Sequence, residues 1–221
     1  MANGGTEPAL SAKRSLRHAT RAERIAARRE AILSAALNEF SARGFEAARL
    51  DDVAKRAGVV KGTIYQHFPD KEALFEELIR WMFRPLVGTL KANIDADMPA
   101  RMILERVAEL FVRDVYHTSR KEVMRLLIID GVRFPRVADS YYREVVVPVN
   151  DAVRTLLRRA LDRGEITENA MVRFPQLLVA PWVVAIVWRG LFEHLEPLDV
   201  RGLLRAHLDQ LFGAGAAQDG P

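Results

Sequence analysis

Apolar residues recur at helical spacing along almost the whole chain, and this periodicity constrains the fold most strongly. Between Arg24 and Arg43, apolar side chains fall on one face of a helix, and comparable patterns follow as far as residue 212. No run of alternating apolar and polar residues predicts a strand. The nearest candidate, Val145–Val149, contains Pro148, which cannot donate a hydrogen bond within a sheet. The sequence therefore predicts an all-α fold.

Composition excludes several classes of protein. The 221 residues include no cysteine, so disulfide scaffolds and thiolate metal sites are ruled out. The longest strongly apolar stretch without a charge, Phe174–Trp188, spans 15 residues and contains two prolines. A membrane-spanning helix needs about 20 apolar residues. The first 30 residues also lack the apolar core of a signal peptide. We expect a cytoplasmic protein that does not bind membranes.

The excess positive charge lies at the N-terminus. Residues 1–30 contain seven lysines and arginines and three glutamates, which accounts for the whole net charge of +4. The first 20 or so of these residues lack a sustained apolar pattern. We therefore expect residues 1–23 to form a basic, flexible arm. Such an arm either contacts a polyanion, with nucleic acid first, or serves only as a solvated terminus.

Two short helices with a tight turn between them are predicted over Leu50–Ala57 and Lys61–Phe68. Gly58 provides the turn, and the spacing is that of a helix-turn-helix, whose second helix can enter the major groove of DNA. On the second helix, Ile64 and Phe68 lie four residues apart and can anchor it inward. The outward face is then rich in hydrogen-bonding groups: Lys61, Gly62, Thr63, Tyr65, Gln66 and His67.

Three segments, Arg43–Ala47, Leu50–Val59 and Lys61–Leu74, together resemble the DNA-binding head of the tetracycline-repressor (TetR) family. The resemblance covers roughly Arg24–Leu78, about a quarter of the chain. It implies a homodimeric transcriptional regulator, usually a repressor, that binds a double-stranded DNA operator. It also implies that a small-molecule effector, bound in the C-terminal domain, releases the DNA. The sequence does not distinguish a repressor from an activator with the same fold.

The resemblance implies eight DNA-contacting residues: Arg49, Lys61, Gly62, Thr63, Tyr65, Gln66, His67 and Lys71. Lys61, Gly62 and Tyr65 occupy positions that usually approach bases. The chain departs from the family pattern where Ser or Thr often precedes each helix of the motif, since it has Arg49 and Val60 there. Arg49 can replace a hydroxyl–phosphate contact with a charged one, whereas Val60 cannot cap its helix.

The remainder of the chain is rich in aromatic residues and is expected to bind a lipophilic or aromatic effector. The candidate pocket residues are Trp81, Met82, Phe111, Tyr116, Asp130, Trp182 and Trp188. The candidate residues of a four-helix dimer interface are Val153, Leu156, Leu157, Trp182, Val183, Ile186 and Val187, with burial inside one subunit as the alternative.

These observations divide the chain into four parts. After the arm at residues 1–23, we expect a DNA-binding domain at 24–86, with its helix-turn-helix at 49–68. A ligand-binding and dimerisation domain at 87–213 and a flexible tail at 214–221 follow. Pro85 is expected to kink or end the helix that begins at Lys71.

Catalytic and metal-binding functions are not expected. The five histidines are scattered, and no phosphate-binding glycine loop or nucleophile elbow is present. We therefore expect no enzyme, no metal and no cofactor. The alternative to a regulator is a small-molecule binding or sequestering module that lacks specific DNA recognition.

Overall fold

Helices build the part of the chain that the computed structural model describes, residues 20–213, and no strand occurs among these residues. In chain order the helices are α1 (Arg21–Ala47), α2 (Leu50–Ala57), α3 (Lys61–His67), α4 (Lys71–Asp95), α5 (Ala100–Phe111), α6 (Arg120–Asp130), α7 (Pro135–Tyr141), α8 (Val147–Asp162), α9 (Ala170–Arg173), α10 (Gln176–Leu191) and α11 (Val200–Phe212). Two π-helical segments add to them. Val112–Tyr116 continues α5, and Tyr142–Val146 joins α7 to α8. The all-α prediction is confirmed.

Helix α1 begins earlier than the sequence predicts. The hydroxyl of Thr20 accepts a hydrogen bond from the backbone N–H of Glu23, while the Glu23 carboxylate accepts one from the Thr20 N–H, so the helix starts at Arg21. Residues 21–23 of the predicted arm are therefore helical. The rest of that arm and the predicted tail at 214–221 lie outside the described residues. Near the other end of α1, Gly44 breaks the helical conformation at a φ of 77°.

Aromatic packing holds the head together. The rings of Phe40, Phe45 and Phe75 meet pairwise with centroid distances of 5.0–5.5 Å, and all three side chains are buried. Phe45 also meets Phe134, which lies beyond α6, with a centroid distance of 4.4 Å. The head of α1–α3 thus packs on α4 and, through Phe45, on the rest of the fold.

Helix α4 connects the head to the rest of the chain. Asp70 caps it, with Oδ1 accepting a 2.7 Å hydrogen bond from the Ala73 backbone N–H. The prediction that Pro85 could end the helix is wrong, since α4 continues through Pro85 to Asp95. The predicted domain boundary at residues 86–87 consequently falls inside this helix, and a displacement of α4 acts on both sides of it.

Helix α8 lies in the centre of the C-terminal region. Leu156 and Leu157 are completely buried there, and Val153 keeps only 5% of its surface exposed. These side chains pack against residues of α5 and α11 in their own chain. Because they have no surface left for a partner, the prediction that Val153, Leu156 and Leu157 form a dimer interface is wrong. The same holds for Ile186 on α10, which is 2% exposed.

Candidate DNA-binding surface and ligand cavity

The second helix of the motif, α3, is anchored by its apolar side. Ile64 is fully buried and Phe68, just after the helix, is 4% exposed, so both fix α3 against the head. On the opposite side Lys61, Gly62, Tyr65, Gln66 and His67 are exposed, while Thr63 is half-buried. The structure thus places these six predicted residues together on one short helix. Arg49, at the start of α2, is exposed as well.

Lys61 is held by a neighbouring carboxylate. Its Nζ lies 2.6 Å from Oδ1 of Asp51 on α2 and 5.8 Å from the centroid of the Tyr65 ring. The hydrogen bond that Lys61 donates to Asp51 raises the pKa of Lys61 above its ordinary value, and the same bond lowers the pKa of Asp51. Lys61 therefore carries a full positive charge at neutral pH. Because the ammonium group has three N–H donors, a nucleic acid can bind Lys61 beside Asp51 as well as by displacing it.

Lys71 also makes structural contacts within the head, which the sequence did not predict. Its Nζ donates hydrogen bonds to the backbone carbonyls of Glu46 (2.6 Å) and Ala48 (3.3 Å) and lies 4.9 Å from the centroid of the Phe45 ring. Burial lowers the pKa of Lys71 from its ordinary value. The ammonium group thus ties the end of α1 to the start of α4, and one of its three N–H donors remains for the predicted phosphate contact.

The two helices of the motif begin without side-chain caps. Neither the Arg49 side chain before α2 nor the Val60 side chain before α3 accepts a hydrogen bond from its helix, and the Val60 side chain is 74% exposed. The backbone at the turn between the helices, in contrast, has a hydrogen-bond partner. Gly58 adopts the left-handed conformation, with a φ of 66°, and its N–H bonds to the carbonyl of Lys55.

A cavity of about 380 Å³ lies among α4, α5, α8 and α10. Leu86 and Leu90 from α4, Leu104 and Phe111 from α5, and Trp182 from α10 form much of its apolar wall. The Phe111 and Trp182 rings meet edge to face with a centroid distance of 4.9 Å. Volume and lining are those of a site for a small, mainly apolar molecule.

Of the predicted pocket residues, Phe111 and Trp182 line this cavity and the others do not. Trp81 packs against the head core, where Met82 is buried. Tyr116 is buried in the same cluster as Phe111 and Trp182 but does not line the cavity. Trp188 donates from Nε1 to the carbonyl of Glu196 at 2.8 Å. Three residues predicted for the dimer interface, Val153, Trp182 and Val183, line the cavity.

Asp130, another predicted pocket residue, lies at the contact between head and body. Its Oδ2 accepts a 3.2 Å hydrogen bond from the backbone N–H of Phe45, directly after the Gly44 break in α1. Nearby, the Arg133 guanidinium pairs with both carboxylate oxygens of Glu46, at 2.5 and 2.8 Å. The end of α6 therefore holds the end of α1.

The other end of α6 touches the cavity wall. Arg120 donates from Nη1 to the carbonyl of Asp114, in the π-helical segment Val112–Tyr116, and from Nε to the carbonyl of Met82 on α4, both at 3.0 Å. Asp114 and Val115 of that segment line the cavity. Helix α6 thus links the cavity wall to both α4 and the head, a connection that no sequence motif indicated.

Residues 20–213 contain neither a cluster of metal-binding side chains nor a helix that could span a membrane. No three histidine or carboxylate side chains in this range are grouped so that they could hold a metal ion. None of its helices has both the length and the apolar character needed to cross a membrane.

A helix-turn-helix head joined by one long helix to an all-α body with an apolar cavity defines a class of DNA-binding regulators. Comparison with known families gives the same result. The model of the tetR family of bacterial regulatory proteins matches residues 32–78, and that of the tetracyclin repressor-like C-terminal domain matches residues 99–206. The chain belongs to the TetR family.

Curated relatives are similar over parts of the chain. The HTH-type transcriptional regulator RutR of Escherichia coli is 37% identical over 109 residues, which cover 48% of this chain and 51% of RutR. The HTH-type transcriptional repressor KstR2 of Mycolicibacterium smegmatis is 34% identical over 139 residues, or 63% of this chain and 65% of KstR2. The chain thus spans about half the length of RutR.

Solved structures share the fold at low identity. Salmonella enterica GusR superimposes with a TM-score of 0.68 at 22% identity, covering 85% of this chain and 96% of GusR. The fatty acid degradation regulator FadR of Bacillus halodurans superimposes with a TM-score of 0.66 at 17% identity, covering 84% of this chain and 98% of FadR. At these identities the likeness establishes the fold alone.

Proposed function

We propose that this chain is a ligand-responsive transcriptional repressor, which binds a palindromic DNA operator as a homodimer and is released by a small apolar molecule. The observation that carries the proposal is the geometry of α3. Its buried Ile64 leaves Lys61, Gly62, Tyr65 and Gln66 together on an exposed face. An α-helix fits the major groove, where exposed donors and acceptors of this kind read base edges.

The phosphate backbone provides the remainder of the binding energy. Arg49, Lys61 and His67 supply exposed basic groups, and Lys71 keeps one free donor beside them. Each phosphate that these groups neutralise contributes a slope of about −0.9 to a plot of log K against log salt concentration. We therefore expect operator affinity to fall steeply with salt, and a flat salt titration contradicts the phosphate contacts.

A second copy of the chain is expected to dock on α10. Leu177, Val184 and Leu191 recur every seven residues on this helix and are 43%, 50% and 55% exposed. An apolar stripe with this spacing is typical of a helix–helix seam. Val183, 40% exposed, and the half-buried Val187 flank the stripe and are the predicted interface residues that stay available. A twofold dimer would present two α3 helices about 34–36 Å apart, in successive major grooves.

Release of DNA requires that the effector bind the two conformations with different affinity. Shifting the population from 1:99 to 99:1 takes about 5.5 kcal/mol of that difference. The cavity is suited to this, because Leu86 and Leu90 line it from α4, the helix that continues into the head. Helix α6 offers a second connection, from Arg120 at the cavity wall to Asp130 at Phe45.

The recognition face can be tested by replacing Tyr65, which is 46% exposed. Tyr65→Ala should weaken binding to duplexes selected by the wild-type protein by tenfold or more, because a good base contact is worth about 1–3 kcal/mol. Tyr142→Ala is the matched control, since Tyr142 is 58% exposed and lies far along the chain from the head. Equal affinity of the two variants in gel-shift titrations would refute the assigned face.

The alternative, a binding or sequestering module without specific DNA recognition, is less well supported. It leaves the exposed polar face of α3 and the close packing of the motif without a role. In the proposed function the chain binds DNA and an effector in the cytoplasm. It catalyses no reaction and needs no cofactor. Selection of DNA sequences by the purified protein distinguishes the two functions.

A further inference from the structure

The charges around the cavity restrict which ligands it can hold. Among the described residues that line it, none is a lysine, arginine or histidine, and the only charged one is Asp114. The Asp114 carboxylate is paired with the guanidinium of Arg113 through two hydrogen bonds of 2.7 Å. These bonds hold the pKa of Asp114 below its ordinary value, so the group stays ionised. A ligand therefore meets a carboxylate that already has its partner, and meets no cation.

Tyr141 offers the cavity a hydrogen-bond donor. Protein atoms surround most of this residue. Its side chain is half-buried, and it lines the cavity. Its ring packs edge to face against Phe83, with centroids 5.7 Å apart. Among the hydrogen bonds within residues 20–213, none involves its hydroxyl. Burial alone raises the pKa of Tyr141 to about 12, so the O–H remains protonated and can donate.

These two features favour uncharged ligands. Moving a carboxylate out of water into an apolar site costs several kcal/mol unless a cation compensates it. The carbonyl of a ketone or an ester loses far less hydration, and a single donated hydrogen bond replaces much of it. A phenol surrounded by apolar walls is a partner of this kind.

We infer that the cavity takes an uncharged, mainly apolar molecule whose carbonyl or hydroxyl oxygen accepts a hydrogen bond from the Tyr141 hydroxyl, and that it rejects lipid carboxylates. This inference deepens the proposed function and rests on the cavity being the effector site.

The charge preference can be measured with three probes of equal chain length: 2-decanone, decanoate and decyltrimethylammonium. Calorimetric titration of the full chain at pH 7.5, below the critical micellar concentrations of the two ionic probes and the solubility limit of 2-decanone, gives the three dissociation constants. We expect 2-decanone to bind at least tenfold more tightly than decanoate. Equal or tighter binding of decanoate overturns the inference. Tightest binding of the ammonium probe also overturns it, and assigns recognition to Asp114.

The donor is tested by Tyr141→Phe, which removes only the hydroxyl and keeps the ring that packs on Phe83. Loss of one hydrogen bond should weaken 2-decanone binding about three- to tenfold. Tyr142→Phe is the matched control, since Tyr142 neighbours Tyr141 but does not line the cavity. An unchanged dissociation constant for Tyr141→Phe, with wild-type thermal unfolding, refutes the role of the hydroxyl.

Gln176→Lys tests the charge preference by adding a cation to the cavity lining. Gln176 is exposed and lines the cavity, so a lysine there supplies a cation without disturbing buried packing. Decanoate affinity should then rise at least fivefold, and no rise contradicts the charge argument. None of these titrations contains DNA. If the probe titrations give the contrary results while the protein still binds its operator, only the inference about the ligand is refuted. If the protein binds no operator, the proposed function is refuted.

Discussion

The missing cap before α3 leads to a prediction about stability. Val60 occupies the N-cap position with an extended backbone, φ −77° and ψ 149°, which is the conformation that capping residues adopt. Val60→Ser places a hydroxyl where it can accept a hydrogen bond from the backbone N–H of Gly62, whereas the N–H of Thr63 already donates to the Val60 carbonyl at 2.9 Å. Such a cap is worth about 1 kcal/mol relative to a residue that cannot cap.

The loss of the valine side chain offsets little of this stabilisation. The Val60 side chain is 74% exposed, so its replacement by serine forfeits only a small buried apolar area. For a chain of this size, 1 kcal/mol corresponds to a rise in Tm of about 2–4 °C. Scanning calorimetry at fixed protein concentration measures this rise, and hydrogen exchange at the amides of α3 locates it.

Two control variants separate the cap from other effects. Val60→Ala removes the same methyl groups without adding a hydroxyl and should leave Tm unchanged. Val132→Ser adds a hydroxyl at a valine that is 91% exposed and not at an N-cap, and should also have no effect. If Val60→Ser melts at the same temperature as Val60→Ala, the reasoning about the uncapped recognition helix is refuted.

Three other predictions concern the anchor of α3, the cap of α4 and the face of α10. Ile64→Ala should cost about 2–5 kcal/mol of unfolding free energy, because the side chain is fully buried, and a urea titration that shows less than 1 kcal/mol contradicts the anchoring role. Hydrogen bonding from the Ala73 N–H, followed by Arg136, holds the pKa of Asp70 below its ordinary value of 3.8. The contribution of Asp70 to stability is therefore complete above about pH 4 and is lost as the pH falls further, so Asp70→Ala should have a flatter stability profile below pH 4. Val184→Glu should convert the dimer to monomers in sedimentation experiments, and an unchanged dimer would rule out the α10 stripe.

The sequence predicts the head closely, because its limits are encoded locally. Helix α2 has the predicted bounds, and α3 ends one residue before the predicted Phe68. The positive φ of Gly58 and the position of Pro69 are properties of those residues, and no distant contact is needed to place them. The outward face of α3 follows from the same spacing that buries Ile64.

The cavity and the proposed dimer face are less predictable from the sequence. Helical periodicity indicates that Leu156 faces inward, but it does not say whether its neighbours belong to the same chain or to a partner. Trp81 and Trp182 are equally aromatic, yet only the tertiary arrangement of the helices around the cavity decides that Trp182 lines it. Lys71 illustrates the same limit, because the carbonyls that it binds become available only where α1 ends.

Selection of random duplexes by the purified protein tests whether α3 of each subunit reads DNA sequence. After a few rounds at low salt, we expect enrichment of a near-palindrome whose half-sites are about one helical turn apart. A pool that stays random under these conditions would refute sequence reading by α3. It would favour a module that binds small molecules alone.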